Sequence, residues 1–333
     1  MANQERLKRN KRKINIIRLC ALILLAVWIS GRDATPQTLE STEDLLSRRS
    51  TDKWIIVTAV TYQYRDMLLN FICNLRLLGA YEQFAFAALD TTTLHWAMSR
   101  DLPVFHVTGK RTRFHLLEPD ITFGTSAYKQ ATKLKSSIVL HVLKLGYSVV
   151  FCDPDVVWFD DPRRILQSTL AWRSADVYIQ SDSRDLRKPL QSLNSGLYFA
   201  RSNPSTIDAF ESIVRSARRS SSSEQPHFKR NLCKGSAIGL DMDTCYYLPK
   251  NGQQNLTMVT LPMKRFPNGG LWLFGQTVFD LGPRRFSEVA KEPLFALHNN
   301  WIRGIEPKKQ RQLKWGLWWI QEVDETCSNV VLT

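Results

Sequence analysis

Two aspartates, Asp153 and Asp155, stand one residue apart at the end of an apolar run, in the stretch VVFCDPDVVWFDDP that begins at Val149. Carboxylates at that spacing can be aimed at one hard divalent cation, and such a cation neutralises a diphosphate. A D-x-D by itself is more often a turn cap or a solvated loop. Here apolar residues flank it on both sides, Val149 to Cys152 before and Val156 to Phe159 after, where a solvated loop is out of place. Pro154 has no amide hydrogen and stiffens the turn between the two carboxylates. Asp160 and Asp161 precede Pro162 and suit the start of a helix over 163–167, as N-terminal carboxylates do. Cys152 is expected to be buried in the strand.

The elements that must position this pair are legible upstream. WIIVTAV at 54–60 is a continuous apolar run of buried-strand type, and Met67, Leu68, Phe71, Ile72, Leu75 and Leu78 follow at helical spacing up to Gly79. FAFAAL at 84–89 repeats the strand signal, Asp90 leads into a short helix, and 104–107 reads as a third strand. A helix over 128–145 ends at Gly146 and delivers the chain into a fourth strand at 148–152. Strand and helix alternate, which predicts an α/β fold with a parallel sheet covered on both faces. Ligands in such sheets bind beyond the carboxyl ends of the strands, and Asp153 lies at one. The second half is less regular, with strands expected at 177–181, 197–200, 258–261 and 295–298 and a helix over 205–218. No linker-like composition divides it, so one composite domain over 51–333 is expected.

Of the 333 residues 44% are apolar and 11% aromatic, which sets disorder aside. The formal charge of +14 is concentrated at the start, where seven basic residues face Glu5 within the first eighteen. A basic tail over 1–13, an apolar segment over 14–30 and a polar stem over 31–50 then predict a single-pass type II signal anchor with the bulk of the chain luminal. Helical rise makes residues 14–29 about 24 Å long, enough to span if Arg18 snorkels. A cleaved signal peptide is the competing reading, and both put the domain in an oxidising compartment, away from nucleic acid. Cys73, Cys152, Cys233, Cys245 and Cys327 are odd in number, so at least one is free or bonded to another chain. Cys233 and Cys245 flank a short glycine-containing loop and are the expected disulfide, with two isolated thiols as the alternative. The absence of C-x-x-C argues against zinc. Asn255, in Asn-Leu-Thr, is an N-glycosylation acceptor.

CDPDVVWFDDP resembles the D-x-D segment of nucleotide-diphospho-sugar transferases related to glycosyltransferase family 77, a group that contains cell-wall xylosyl- and arabinosyltransferases. Further blocks follow in the family's order: Lys135 ahead of LKLGYSVVF, NSGLYFARS from Asn194, SEQPHFKRNLC, RFPNGG from Arg265, and LHNNWIRG from Leu297. The resemblance implies a GT-A fold, Rossmann-like with a mixed, mostly parallel sheet and flanking helices. It also implies Mn2+ or Mg2+ at the D-x-D, a UDP-sugar donor, a glycan or glycoprotein acceptor, retention at the anomeric carbon, and residence in the Golgi membrane.

Carried over by motif, Asp153 and Asp155 bind metal and diphosphate, and His298 completes the metal shell. Imidazole with carboxylate suits a borderline ion such as Mn2+. Lys135 lies on the polar face of its helix, where it could meet a phosphate. By fold position Thr58, Ala59, Val60 and Asp90 face uridine and ribose. Asn194 and Gly196 sit where a polar side chain and a close backbone could hold the transferred sugar, although a turn before a strand explains Asn-Ser-Gly equally well. Glu224, with Gln225 after it, stands where the family usually has Asp, and Asp182 is its rival for sugar recognition or front-face catalysis. Trp301, Trp315, Trp318 and Trp319 are expected to fill core, and the basic run from Lys308 to Lys314 is expected to be a solvated face.

The leading expectation is a metal-dependent glycosyltransferase. A catalytically silent luminal glycan-binding protein of the same fold is the alternative, disfavoured because uncompensated buried charge is costly without a metal. Two-metal phosphodiester hydrolysis would call for a richer histidine set than six scattered residues supply.

Overall fold

β1 (Trp54–Val60), β2 (Phe84–Ala88) and β3 (Val104–Phe105) are short, almost wholly buried strands, which is why they read as apolar runs without alternation. The structure is a computed structural model that describes residues 40–106, 124–165, 175–233, 243–247, 255–321 and 325–328. After β4 (Ser148–Cys152) and β5 (Val156–Trp158) come β6 (Val177–Ser181), β7 (Leu193–Ala200), β8 (Thr244–Tyr247) and β9 (Leu256–Thr260). All of these except β5 form one eight-stranded sheet in the order β3-β2-β1-β4-β7-β6-β9-β8. The β1–β2, β1–β4, β2–β3 and β6–β9 pairs are parallel and the other three antiparallel, so the architecture is mixed α/β. From β1 the chain runs outward to β3 and then returns to β4 on the other side of β1, which makes the carboxyl ends of β1 and β4 the switch point of the sheet.

Helices cover both faces. The helix Arg65–Leu77 ends at Gly79, whose φ of 67° lies in the left-handed region that stops helices. The helix Ser126–Lys144 starts from a Thr125 cap and ends before Gly146 at φ 86°. Alternate strand residues feed opposite cores: Val57, Phe151 and Tyr198 face one way, Ile56, Val150 and Phe199 the other. A third cluster, including Val157, Leu271, Phe279, Leu297 and Trp319, lies beneath the C-terminal segments.

Several expectations change. The domain begins near residue 40 rather than 51, because the end of the expected stem folds as a helix, Thr42–Arg49, that buries Leu45 and Leu46 and ties Arg49 to the carbonyls of Tyr81 and Phe84. The tail over 1–13, the anchor over 14–30 and the rest of the stem lie outside the described residues. No helix among the described residues is long and apolar enough to cross a membrane. β7 starts at Leu193, so Asn194 to Gly196 lie within a strand and not in a turn before it. The register jumps there, from Ile179 opposite Tyr198 to Gln180 opposite Asn194, and this irregularity bows the strand toward the D-x-D. Trp319 is core, but Trp301 is 49% exposed. Cys233 pairs with Cys245, and Cys73 pairs with Cys327, a bridge not foreseen from spacing; Cys152 is free and buried, and burial pushes its thiol up. Asn255 is exposed at the start of β9.

Candidate active site

The turn after β4 is built by Pro154. Val156 N–H donates to the Asp153 carbonyl at 3.1 Å, closing a β-turn with proline at its second position, where its fixed φ is preset. Asp153 N–H donates to the Gly196 carbonyl at 2.7 Å, which hooks the turn onto β7. β5 then pairs antiparallel with Ala296–His298, and the register His298 opposite Val156 sets the imidazole beside Asp155. Asn74, on the buried side of its helix, clamps β5 from below by accepting from Trp158 N–H and donating to the Trp158 carbonyl.

Asp153, Asp155 and His298 each offer a ligand atom, all within 4.8 Å of one another. The orientation of His298 follows from its neighbour. Gln180 donates its amide to the carbonyls of Phe266 and Pro267, so its oxygen must face His298 Nδ1, 2.8 Å away, and accept a proton from it. That leaves Nε2 facing Asp155 Oδ1, 3.4 Å away. An imidazole oriented by a hydrogen bond at its far nitrogen is the arrangement of a metal ligand. Gly196 makes the space: a Cβ there would lie 2.5 Å from His298 Cε1 and 2.7 Å from Asp153 Oδ2.

Two lysines close the sides. Lys135 Nζ is 2.5 Å from Asp153 Oδ1, and Lys308 Nζ is 2.6 Å from Asp155 Oδ2. Burial works to raise the Asp155 carboxyl, but Lys308 and His298 outweigh it and hold the group well below the usual carboxylate range. Burial likewise works to lower both ammonium groups, and the carboxylates outweigh it, so both lysines stay charged. These groups line a groove of about 90 Å3 together with Ala59, Val60, Tyr64, Tyr128 and Thr132. A larger cavity of about 260 Å3 opens near the start of β1, against Trp54, Arg163 and Arg201, but it contains none of the D-x-D groups.

Beside the groove Asp182 accepts four hydrogen bonds: from Asn194 Nδ2, Asn300 Nδ2 and Trp301 Nε1 at 2.8, 3.0 and 3.1 Å, and from Gln225 Nε2 at 3.2 Å. All four donors are neutral, and Asn194 Oδ1 also accepts from Gly196 N–H, so Asp182 is linked to the D-x-D turn through Asn194 and Gly196.

Of the residues singled out from sequence, Ala59, Val60, Lys135, Asp153, Asp155 and His298 converge, with Asn194, Gly196, Asp182 and Gln225 adjoining. Three do not. Thr58 is fully buried inside β1 and lines no part of the groove. Asp90 is 1% exposed and caps the next helix, accepting from Thr93 N–H, Thr93 Oγ1 and Tyr62 N–H; it shapes the loop and does not face a ligand. Glu224 is 2% exposed, accepts from Ser195 Oγ and lies against Lys135 and Thr132 of the groove wall; burial pushes its carboxyl up, and Lys135 works against that.

Lys308 corrects the expectation of a solvated face: it turns inward onto Asp155, and Arg311 turns to the Asn300 carbonyl. Gln180, Asn300, Tyr64 and Tyr128 were also missed. Gln180 had a signal, as a lone amide within the buried strand VYIQS; Lys308 had none.

The sequence profile of nucleotide-diphospho-sugar transferase matches residues 79–312, which takes in the whole acidic turn, the Lys135 helix, β7 and the His298 strand. The chain is 37% identical over 292 residues to the Beta-arabinofuranosyltransferase RAY1 of Arabidopsis thaliana, covering 85% of this chain and 50% of that protein. It is 25% identical over 297 residues to the UDP-galactose:fucoside alpha-3-galactosyltransferase of Dictyostelium discoideum, covering 80% and 43%. A UDP-D-xylose:L-fucose alpha-1,3-D-xylosyltransferase 3 of Arabidopsis thaliana is 24% identical, covering 80% and 67%. The chain thus spans half the length or less of the first two of these relatives. With the matched region containing Lys135, Asp153, Asp155, His298 and Lys308, the chain belongs to the nucleotide-diphospho-sugar transferase family.

Proposed function

We propose that this protein transfers a sugar from a UDP-sugar to a glycan or glycoprotein acceptor, with metal dependence and with retention at the anomeric carbon, as a single-pass type II protein of the Golgi membrane. The observation that carries the activity is the convergence of Asp153, Asp155 and an imidazole with its Nε2 facing them, at the switch point of the sheet. A divalent cation held by these three residues, Mn2+ fitting the mixed oxygen and nitrogen donors best, would draw negative charge off the departing diphosphate.

The chain's own groups supply the rest. Lys135 and Lys308 balance the two aspartates before ligand arrives, so a bound divalent cation leaves an excess of positive charge that matches a diphosphate. The rings of Tyr64 and Tyr128 give the groove aromatic walls for a base, next to the backbone of Ala59 and Val60. Asn194, Asp182 and Gln225 hold the transferred sugar by its hydroxyls. Their fixed mutual hydrogen bonds limit the reorganisation that binding requires.

The test is to incubate the full purified chain with UDP-arabinofuranose, UDP-xylose and UDP-galactose, with and without Mn2+, and to follow UDP release and sugar transfer. Metal-dependent release is expected, with a loss of at least a hundredfold in Asp155→Ala. Full activity in that variant would remove the metal assignment. Glycan binding with no turnover on any donor would point to a silent binding protein. Anomeric proton spectra of the first product decide retention.

A further inference from the structure

Trp301 and Trp272 are 49% and 42% exposed, and Phe274 is 86% exposed. These three aromatics lie outside the nucleotide groove, and a shared framework holds them. Trp301 is anchored by its Nε1 to Asp182 and packs on Gly270, where a Cβ would come within 2.6 Å of the indole. The Arg184 guanidinium sits 5.0 Å from the Trp272 ring centroid and 5.5 Å from that of Trp301, and Arg184 Nε donates to the Gly270 carbonyl at 3.2 Å. Trp272 opens a two-stranded hairpin with Gln276–Thr277, and its two-residue turn is Phe274-Gly275, with φ of 50° and 84°. Such turns favour Asn-Gly; a phenylalanine in the left-handed region and turned to solvent gains nothing from folding.

We propose that Trp301, Arg184, Trp272 and Phe274 form a rail for the acceptor saccharide, leading outward from Asp182. This rests on the transferase reading above. Flat, immobilised indoles offer the apolar face that a sugar ring's C–H groups stack on, at little entropic cost. Between and beside them lie Arg184, Asp182 and Asn300, polar groups that suit hydroxyls and that a protein–protein core or a lipid face would lack. The rail is continuous with the reaction centre through the Trp301–Asp182–Asn194–Gly196 hydrogen bonds, and none of its members lines the nucleotide groove. Donor and acceptor therefore approach from different sides of the D-x-D.

The experiment titrates the full chain with UDP plus Mn2+ by calorimetry. It titrates the same chain, by tryptophan fluorescence and saturation-transfer NMR, with short arabino-, xylo- and galacto-oligosaccharides and with methyl α-L-fucoside. Trp301→Ala and Trp272→Ala are expected to weaken saccharide binding at least tenfold more than UDP binding. Trp301→Phe and Trp272→Phe, which keep a stacking face, retain most of the affinity and so separate lost stacking from misfolding. Phe274→Ala weakens the longer probes more than the monosaccharide. Saccharide affinity unchanged in both alanine variants overturns the rail. So does a wild-type chain that binds UDP but none of the saccharides, or self-association that Trp272→Ala abolishes. Failure of the wild type to bind UDP with Mn2+ sinks the transferase reading itself, a separate outcome.

Discussion

Gly196 is the residue at which the site is most tightly constrained. A methyl group there meets His298 on one side and Asp153 on the other, and both are held by further bonds. Gly196→Ala is therefore expected to lower Mn2+ affinity and transfer by at least a hundredfold while the chain still folds, as calorimetry and circular dichroism would register. Gln180 acts one step back. Gln180→Ala leaves His298 free to turn or to take the other tautomer, and a loss of roughly 10- to 100-fold in Mn2+ affinity is expected, read by electron paramagnetic resonance titration. Glu224 gives a pH-dependent prediction. Its folded carboxyl is raised by burial, so its contribution to stability is present below the ordinary glutamate range and is lost as pH rises through the folded value. Glu224→Gln should then melt higher than wild type by about 2–4 °C at pH 8 and show no gain at pH 4. A gain of equal size at both pH values would mean that the charge is not the cause.

Among the elements, β5 matters beyond its three residues. One end follows Asp155, its length pairs with the His298 strand, and Asn74 clamps its Trp158 from the helix Arg65–Leu77. Asn74→Ala leaves a buried N–H and a buried carbonyl without partners, at a cost of about 2–4 kcal/mol. Denaturant unfolding should report that loss, and Mn2+ affinity should fall with it, because the strand that aligns Asp155 with His298 has lost its support. The elements themselves were largely legible. β1, β2, β4 and β6 and the helices around them are signalled by apolar runs, by periodicity and by glycines at helix ends, all properties of neighbouring residues. β5 and the early start of β7 were not, because the Asn194–Gly196 irregularity is stabilised by Asp182 and Asp153 and not by local sequence.

At the scale of the molecule, the Cys73–Cys327 bridge ties the C-terminal segment back to the helix that supports β5, across 254 residues of sequence. In the chain-entropy model, closing so long a loop removes unfolded-state entropy worth roughly 5.5 kcal/mol. Cys327→Ser is expected to lower the melting temperature by several degrees, and reductant to lower that of the wild type by more than that of the variant, which keeps only the Cys233–Cys245 bridge. Asn70 reinforces the same tie, bonding the backbone at Leu317 and Trp319. The C-terminal third is thus fastened against the sheet so that His298 and Lys308 reach the carboxylates of the first half.

What the sequence by itself determined is the chemistry of the D-x-D turn and the α/β frame beneath it. Those depend on residue types and spacings within a few positions, where turn, cap and strand preferences act. Tertiary structure alone decided that Gln180 orients His298, that Lys308 turns inward onto Asp155, and that Asp182 gathers Asn194, Gln225, Asn300 and Trp301. The Gln180–His298 and Lys308–Asp155 contacts join residues 118 and 153 positions apart. No local pattern encodes such a meeting, because it follows from how the register of the strands and the path of the C-terminal segment bring distant side chains into one low-dielectric space.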